Sequence, residues 1–264
     1  MIRLDDLRVT FSKGTALEKE VLRGLALTVH PHEFITVIGS NGAGKSTMLN
    51  TIAGVVRPDR GAIEIDDVDV TRWPIWKRAE MVGQVCQDPR LGSYEDLTIA
   101  ENMAIAARRG TSRGLRLALT SGERDVFADA LKVLGLGLED RMDTLVGLLS
   151  GGQRQALSLI MATLRPMKVL LLDEHTSALD PRMADTIIRI TDEIVSTHKL
   201  TVLMVTHSMQ QALNHGTRTL MLHEGRVLFD VSGAERASLT VVDLLAKFRA
   251  VAEGDLNDDR LLLG

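Results

Sequence analysis

Hydrophobic positions along the chain repeat with two different periods, and the places where the period changes divide it. Over residues 2–34 and 60–70 apolar and polar positions alternate, as in Ala62-Ile63-Glu64-Ile65-Asp66. That pattern predicts an antiparallel edge sheet. Ile35-Thr36-Val37-Ile38 is a short apolar, β-branched run that reads as a buried strand, and a helical pattern begins at Ser46 and runs through Ile52. From about 90 to 165 the pattern is helical. Thr120 with Glu123 offers a capping box for a helix through Val126, Ala130, Leu131 and Leu134, closed by Gly135-Leu136-Gly137. Core strands return at Val169–Asp173 and Thr201–Thr206, and the helix between them has Asp180 as N-cap and Pro181 as first residue. After Gly233 a helix is expected through Leu244, Leu245, Phe248 and Val251, with Thr240 and Asp243 as its cap. The last stretch, Glu253 to Gly264, is acidic and then leucine-rich, open to disorder or to partner binding.

Between the first buried strand and its helix lies Gly39-Ser40-Asn41-Gly42-Ala43-Gly44-Lys45-Ser46, followed by Thr47. This is the spacing of a phosphate-binding P-loop. Gly39, Gly42 and Gly44 permit backbone angles at which successive N–H groups turn toward a β-phosphate, and the helix dipole adds positive potential there. Lys45 is expected to reach the β- and γ-phosphates, and the Ser46 hydroxyl to bind Mg2+.

Lys168-Val169-Leu170-Leu171-Leu172-Asp173-Glu174 is a buried strand ending in two acids. A carboxylate at the end of such a strand is costly unless it meets a cation or a strong donor. Alone, the pair is also compatible with a strand end before a surface turn. Following a P-loop, Asp173 is the expected Mg2+ partner and Glu174 the base that polarises the attacking water. A third segment, Leu149-Ser150-Gly151-Gly152-Gln153-Arg154-Gln155, precedes a helical apolar pattern, so that two glycines expose backbone donors at a helix N-terminus.

With these segments in order, residues 2 to 230 resemble the nucleotide-binding subunit of an ABC transporter. The resemblance implies an α/β P-loop fold with an antiparallel β edge subdomain and an α-helical signature subdomain. The ATPase domain would cover 1–233, with 1–88 and 166–233 as core and 89–165 as the helical part, and 234–264 would form a C-terminal helix and tail. It implies ATP and Mg2+ as ligands, Lys45 among the catalytic groups, and further roles by position. Gln87 matches the glutamine that contacts Mg2+ and water. Asp180, in Ser177-Ala178-Leu179-Asp180, matches the D-loop, and His207 matches the histidine at the γ-phosphate. Phe11 stands where an aromatic stacks on adenine. Ser150, Gly151, Gly152 and Gln153 would meet the nucleotide held by a second copy of the chain.

The same resemblance implies two integral-membrane permease subunits and an extracytoplasmic binding protein as partners, hence a place at the cytoplasmic face of the membrane and transport in the import direction. Local phrasing, Phe11-Ser12-Lys13-Gly14-Thr15 and Ala106-Ala107-Arg108-Arg109-Gly110, resembles a branch associated with tryptophan/tyrosine-type uptake. The competing class is a soluble ABC-type ATPase of repair, chromosome organisation or translation. Those carry coiled-coil or zinc insertions, or two fused ATPase units, which this chain does not display.

Composition narrows the picture further. With 264 residues and 45% hydrophobic content the chain can bury a full α/β core, built mostly from aliphatic residues because there are only five Phe, two Trp and one Tyr. No apolar stretch is long enough to span a bilayer, no signal peptide opens the chain, and the expected compartment is the cytoplasm. Cys86 is the one cysteine, which excludes an internal disulfide and a cysteine-rich zinc site. A net charge of −4 gives no nucleic-acid footprint. Arg108, Arg109, Arg113 and Arg116 read as a solvated basic face or as a contact for acidic groups, and Asp96 to Ala107 as the better coupling surface. His32 is expected in a turn, and His175, which follows Glu174, in an exposed loop.

Overall fold

A computed structural model describes residues 1–111 and 119–247. In chain order the elements are β1 (Ile2–Phe11), β2 (Lys19–Val29), β3 (Phe34–Gly39), α1 (Lys45–Ala53), β4 (Arg60–Ile65), β5 (Val68–Asp69), α2 (Ile75–Arg78) and β6 (Val82–Val85). The helices α3 (Ile99–Ala107), α4 (Ser121–Lys132) and α5 (Gly151–Thr163) follow. The chain continues with β7 (Val169–Asp173), α6 (Pro181–His198), β8 (Thr201–Val205), α7 (Met209–Asn214), β9 (Arg218–His223), β10 (Arg226–Ser232) and α8 (Gly233–Ser238).

Two sheets result. The alternating segments form an antiparallel sheet in the order β2-β1-β4-β5, and the buried runs form a six-stranded sheet in the order β10-β9-β3-β8-β7-β6, parallel except for β10. The period of two along a strand sends neighbouring residues to opposite faces. Val169 and Leu171 pack with α1 and the antiparallel sheet, while Leu170 and Leu172 pack with α5, α6 and the rest of the helical lobe. The six-stranded sheet is therefore covered on both sides, as a parallel sheet requires.

One buried cation joins α1 to the antiparallel side. Arg78, 1% exposed, has no ion-pair partner among the described residues; its guanidinium donates to the carbonyls of Thr51 and Ile52 in α1 and to those of Val70 and Thr71. Burial pulls it down to about 10, so it stays charged at neutral pH. The carbonyls at the C-terminal turn of α1 are its natural counter-dipole.

In the helical lobe Thr120 and Glu123 form the reciprocal capping box that the sequence predicts for α4, and Gly135 and Gly137 adopt positive φ just beyond it; Thr98 and Glu101 form a further box on α3 that the sequence reading did not name. At the other end of the chain Thr240 and Asp243 exchange hydrogen bonds at the start of a helix over 241–247, and Leu244 is buried against Ile38, Ala212 and Met221. Phe248, Val251 and the tail from Glu253 lie outside the described residues.

Two expectations need correction. Arg109 is not part of a solvated face: its guanidinium donates to the carbonyls of Ala162 and Arg165 at the end of α5, and burial lowers its pKa. Arg108 pairs with Glu123 at 2.8 Å, and Arg113 and Arg116 lie outside the described residues. His175 is not an exposed loop residue either. It is 2% exposed, with its ring nitrogen Nε2 3.2 Å from the Thr191 hydroxyl of α6. Thr191 donates its own proton to the Ile187 carbonyl, so the imidazole is the donor to Thr191. Burial pulls His175 down to about 4, which keeps it neutral at pH 7. His32 does sit in a turn, exposed and at φ 65, the region that favours glycine.

Candidate nucleotide-binding site

Four adjacent parallel strands, β3, β8, β7 and β6, end on one edge of the sheet, and the loop after each delivers one part of the site. β3 is followed by the glycine-rich loop, β8 by His207, β7 by Glu174 and β6 by Gln87. Open α/β sheets place their ligands at such carboxyl ends. A cleft of about 500 Å³ lies there, lined by Asn41, Gly42, Gly44, Lys45, Ser46 and Thr47 on one side and by Gln87, Glu174 and His207 on the other. Ser40 and Ala43 face a smaller adjoining hollow of about 170 Å³. Gly39 lies under the loop; a Cβ there would stand 2.2 Å from the Leu222 carbonyl oxygen.

The helices of this chain divide by how they begin. The N-caps of α3, α4, α5, α6 and α7 each use a side chain, whereas those of α1 and the short α2 and α8 do not; that of α1 is Gly44 at φ 97, which has none to offer. The leading N–H groups of α1 thus have no side-chain acceptor at the edge of the cleft, an arrangement that suits an anion.

Lys45 is buried, and its ammonium donates to the carbonyls of Gly39 at 2.9 Å and Ser40 at 3.0 Å. Burial lowers its pKa, with the charges of Glu174 and Asp173 working the other way. The Ser46 hydroxyl donates to Asp173 Oδ1 at 3.1 Å, and burial pushes the Asp173 carboxyl up. Glu174 stands at φ 46 and is gripped at both oxygens. Gln87 Nε2 donates to one at 2.8 Å, and His207 Nε2 lies 2.5 Å from the other. Residues from four separate loops meet in this way at one carboxylate pair.

Phe11 lies apart from the cleft lining. It ends β1, 42% exposed, directly opposite Lys19 in the strand register. Lys19 and Val21, which sequence reading did not single out, do line the cleft. Their only sequence signal is their place at the start of the strand that returns beside Phe11.

The Ser150 segment is on the other lobe, at the N-terminus of α5. Ser150 and Gly151 are exposed, whereas Gly152 is buried; a Cβ on it would come within 2.4 Å of Met183 in α6. Ser150 and Gln153 form a capping box that uses each other's N–H groups, leaving those of Gly151 and Gly152 outside the exchange. Asp180 is exposed and caps α6 through the Met183 N–H. None of these residues lines the cleft formed by the P-loop of the same chain.

A family model described as ABC transporter matches residues 22–177, a span from within β2 to the turn beyond Glu174. The chain belongs to the ABC transporter family. It is the ATP-binding subunit type of that family, and an ABC-type ATPase. It is 40% identical to a tyrosine transport ATP-binding protein of Clostridioides difficile (strain R20291), over 94% of this chain and 98% of that one. It is 35% identical to the thiamine import ATP-binding protein ThiQ of Escherichia coli O6:H1, over 86% and 90%. Among solved structures it superposes on the ATP-binding cassette MJ0796, a dimer bound to ADP and Pi after hydrolysis. The TM-score is 0.77 at 26% identity, covering 88% of this chain and 98% of that one. Among the described residues of this ABC ATPase, no helix is long and apolar enough to cross a membrane.

Proposed function

We propose that this ABC ATPase works as a homodimer at the cytoplasmic face of a membrane, hydrolysing two ATP to drive import through two permease subunits fed by an extracytoplasmic binding protein. The observation that carries this reading is the meeting of Gln87, Glu174 and His207 beside the Ser46–Asp173 pair, at the ends of four neighbouring strands. Small-molecule import, with an aromatic amino acid as substrate, is favoured by the tyrosine transport relative, which is similar over nearly the whole of both chains.

In this reading the N–H groups of the P-loop hold the β-phosphate, and Lys45 exchanges its loop carbonyls for β- and γ-oxygens. Ser46 and Asp173 are two hard oxygen donors 3.1 Å apart, and Asp173 is a buried carboxyl in want of a cation, so the pair fits Mg2+, with Gln87 as a further oxygen ligand. Bound there, the ion would supply neutralisation of phosphate charge. Glu174 takes the proton of the attacking water, and His207 and Gln87 fix the direction of its carboxylate. Phe11, at the end of β1 beyond the cleft lining, would stack on the adenine ring of the nucleotide. Asp180 and the exposed Ser150–Gly151 end of α5 face the second copy, where Gly151 and Gly152 offer donors to the partner-held γ-phosphate.

The test is uptake of labelled tyrosine by cells lacking the gene. Restoration by the wild-type chain and not by Glu174→Gln is the expected result. Normal uptake in the deletion strain, or rescue by the variant, would overturn the import reading.

A further inference from the structure

Lys19 lines the nucleotide cleft without belonging to any of the sequence motifs. It opens β2 and lines both the main cleft and the smaller hollow behind the P-loop, so it stands between the two. Its ammonium lies over the turn at Gly42. A Cβ built on that glycine would have the Lys19 Nζ, 3.8 Å away, as its one neighbour.

The charges around it leave Lys19 unneutralised. Two acids share the hollow, and both are engaged elsewhere: Glu20 with Arg8 at 3.4 Å and Glu224 with Arg23 at 2.6 Å. Among the described residues Lys19 has no ion-pair partner. The other P-loop cation, Lys45, is turned inward to the carbonyls of Gly39 and Ser40, beneath the loop rather than over Gly42. A flexible ammonium held over a run of backbone donors, with nearby acids already paired, suits an anion arriving from the solvent side.

We infer that Lys19 is a second cation of the nucleotide site, which pairs with the non-bridging oxygens of the α- and β-phosphates. The inference rests on the ATP-binding reading of the cleft and assigns it a group that the P-loop pattern does not contain. Lys19 reaches the nucleotide from the antiparallel sheet, whereas Gln87, Glu174 and His207 reach it from the six-stranded one. Its contact is with the diphosphate that remains as ADP, apart from Glu174 and the Ser46–Asp173 pair that serve the γ-phosphate. Most of what it adds is gained already on binding, so it lowers KM much more than it raises kcat. Its position opposite Phe11 in the register couples the two: the last rung of the β1–β2 ladder presents a ring and a charge together.

The experiment compares Lys19→Ala, Lys19→Gln and Lys19→Arg with wild type, using displacement of a fluorescent nucleotide by ATP, ADP and adenosine, and steady-state hydrolysis. Lys19→Ala and Lys19→Gln should each weaken ATP and ADP by about tenfold and adenosine by nothing measurable. The loss should appear in KM, shrink as salt is raised, and be largely restored in Lys19→Arg. Equal weakening of ATP and adenosine would assign the effect to shape and overturn the inference, as would unchanged ATP affinity. Lys45→Ala separates the two levels. If it loses ATP while Lys19→Ala binds as wild type, only the role of Lys19 falls; if Lys45→Ala also binds normally, the nucleotide reading of the cleft falls with it.

Discussion

The side-chain amide of Gln155 donates to the backbone carbonyl of Cys86 at 3.2 Å, which ties the signature helix α5 to the residue immediately before Gln87. Gln155 is 1% exposed and Cys86 half-buried, so the bond is partly shielded from water. Its neighbour Arg154 reaches the far side of the same segment, pairing with Glu95 at 2.5 Å. Consecutive residues of one helix therefore hold both ends of the stretch that carries Gln87.

Gln155→Leu keeps the volume and removes the donor, leaving the half-buried Cys86 carbonyl without this partner at a cost of about 1 kcal/mol. Because Gln87 aims the Glu174 carboxylate, a small displacement of its backbone should lower kcat by about tenfold or more, with ATP affinity unchanged. Steady-state kinetics beside equilibrium ATP binding checks this; a wild-type kcat would show that the tie is not needed for positioning.

Glu174→Gln preserves shape and the hydrogen bond from Gln87 while removing the base. Turnover should fall by about a hundredfold or more, with ATP still bound. Size-exclusion chromatography of this variant with ATP and Mg2+ should reveal a dimer that wild type populates only transiently. Undiminished hydrolysis would remove Glu174 from the chemistry.

If Ser150 serves the nucleotide of a second copy, Lys45→Ala and Ser150→Arg chains, each inactive alone, should regain some hydrolysis when mixed. The mixed dimer keeps one site in which an intact P-loop faces an intact Ser150 segment. Hydrolysis measured across mixing ratios should pass through a maximum, and a flat response with mixed dimers demonstrated by affinity tags counts against shared sites.

His175→Ala should be destabilising by about 2–4 kcal/mol, because it leaves a cavity and strips a buried hydroxyl of its donor. Urea denaturation reads this directly. A change under about 0.5 kcal/mol, the range of ordinary surface substitutions, would contradict the burial.

Ile105 is 40% exposed on α3, a helix otherwise packed through Ile99, Ala100, Met103 and Ala104. Ile105→Glu should leave hydrolysis by the isolated chain intact and abolish uptake in cells. Normal uptake would move the permease contact elsewhere.

Much of the fold and of the site is legible in the sequence because its causes are local. Asp180, Ser150, Thr120 and Thr240 announce helix starts through bonds that span three residues, so the whole cause is local. The P-loop and the acids after β7 are equally local. His175 was misjudged because what buries it, Thr191, comes from a helix that begins beyond the loop, and nothing beside His175 in the chain marks that cover. Arg109 went wrong the same way: its carbonyl partners lie more than fifty residues on. Lys19 and Val21 escaped notice because their role comes from a strand register, which sets Lys19 against Phe11 and near Gly42 without any pattern of residue types.

β7 feeds two separate interiors, Leu170 and Leu172 to one and Val169 and Leu171 to the other, while β6 and β8 hold it on both edges. The strand behaves as a ruler clamped from both sides. Sliding it by one residue would exchange the two sets of side chains and carry the two acids past the Ser46 hydroxyl. Hydrocarbon packed well away from the phosphates thus decides, to within a fraction of a residue's length, where the charge falls.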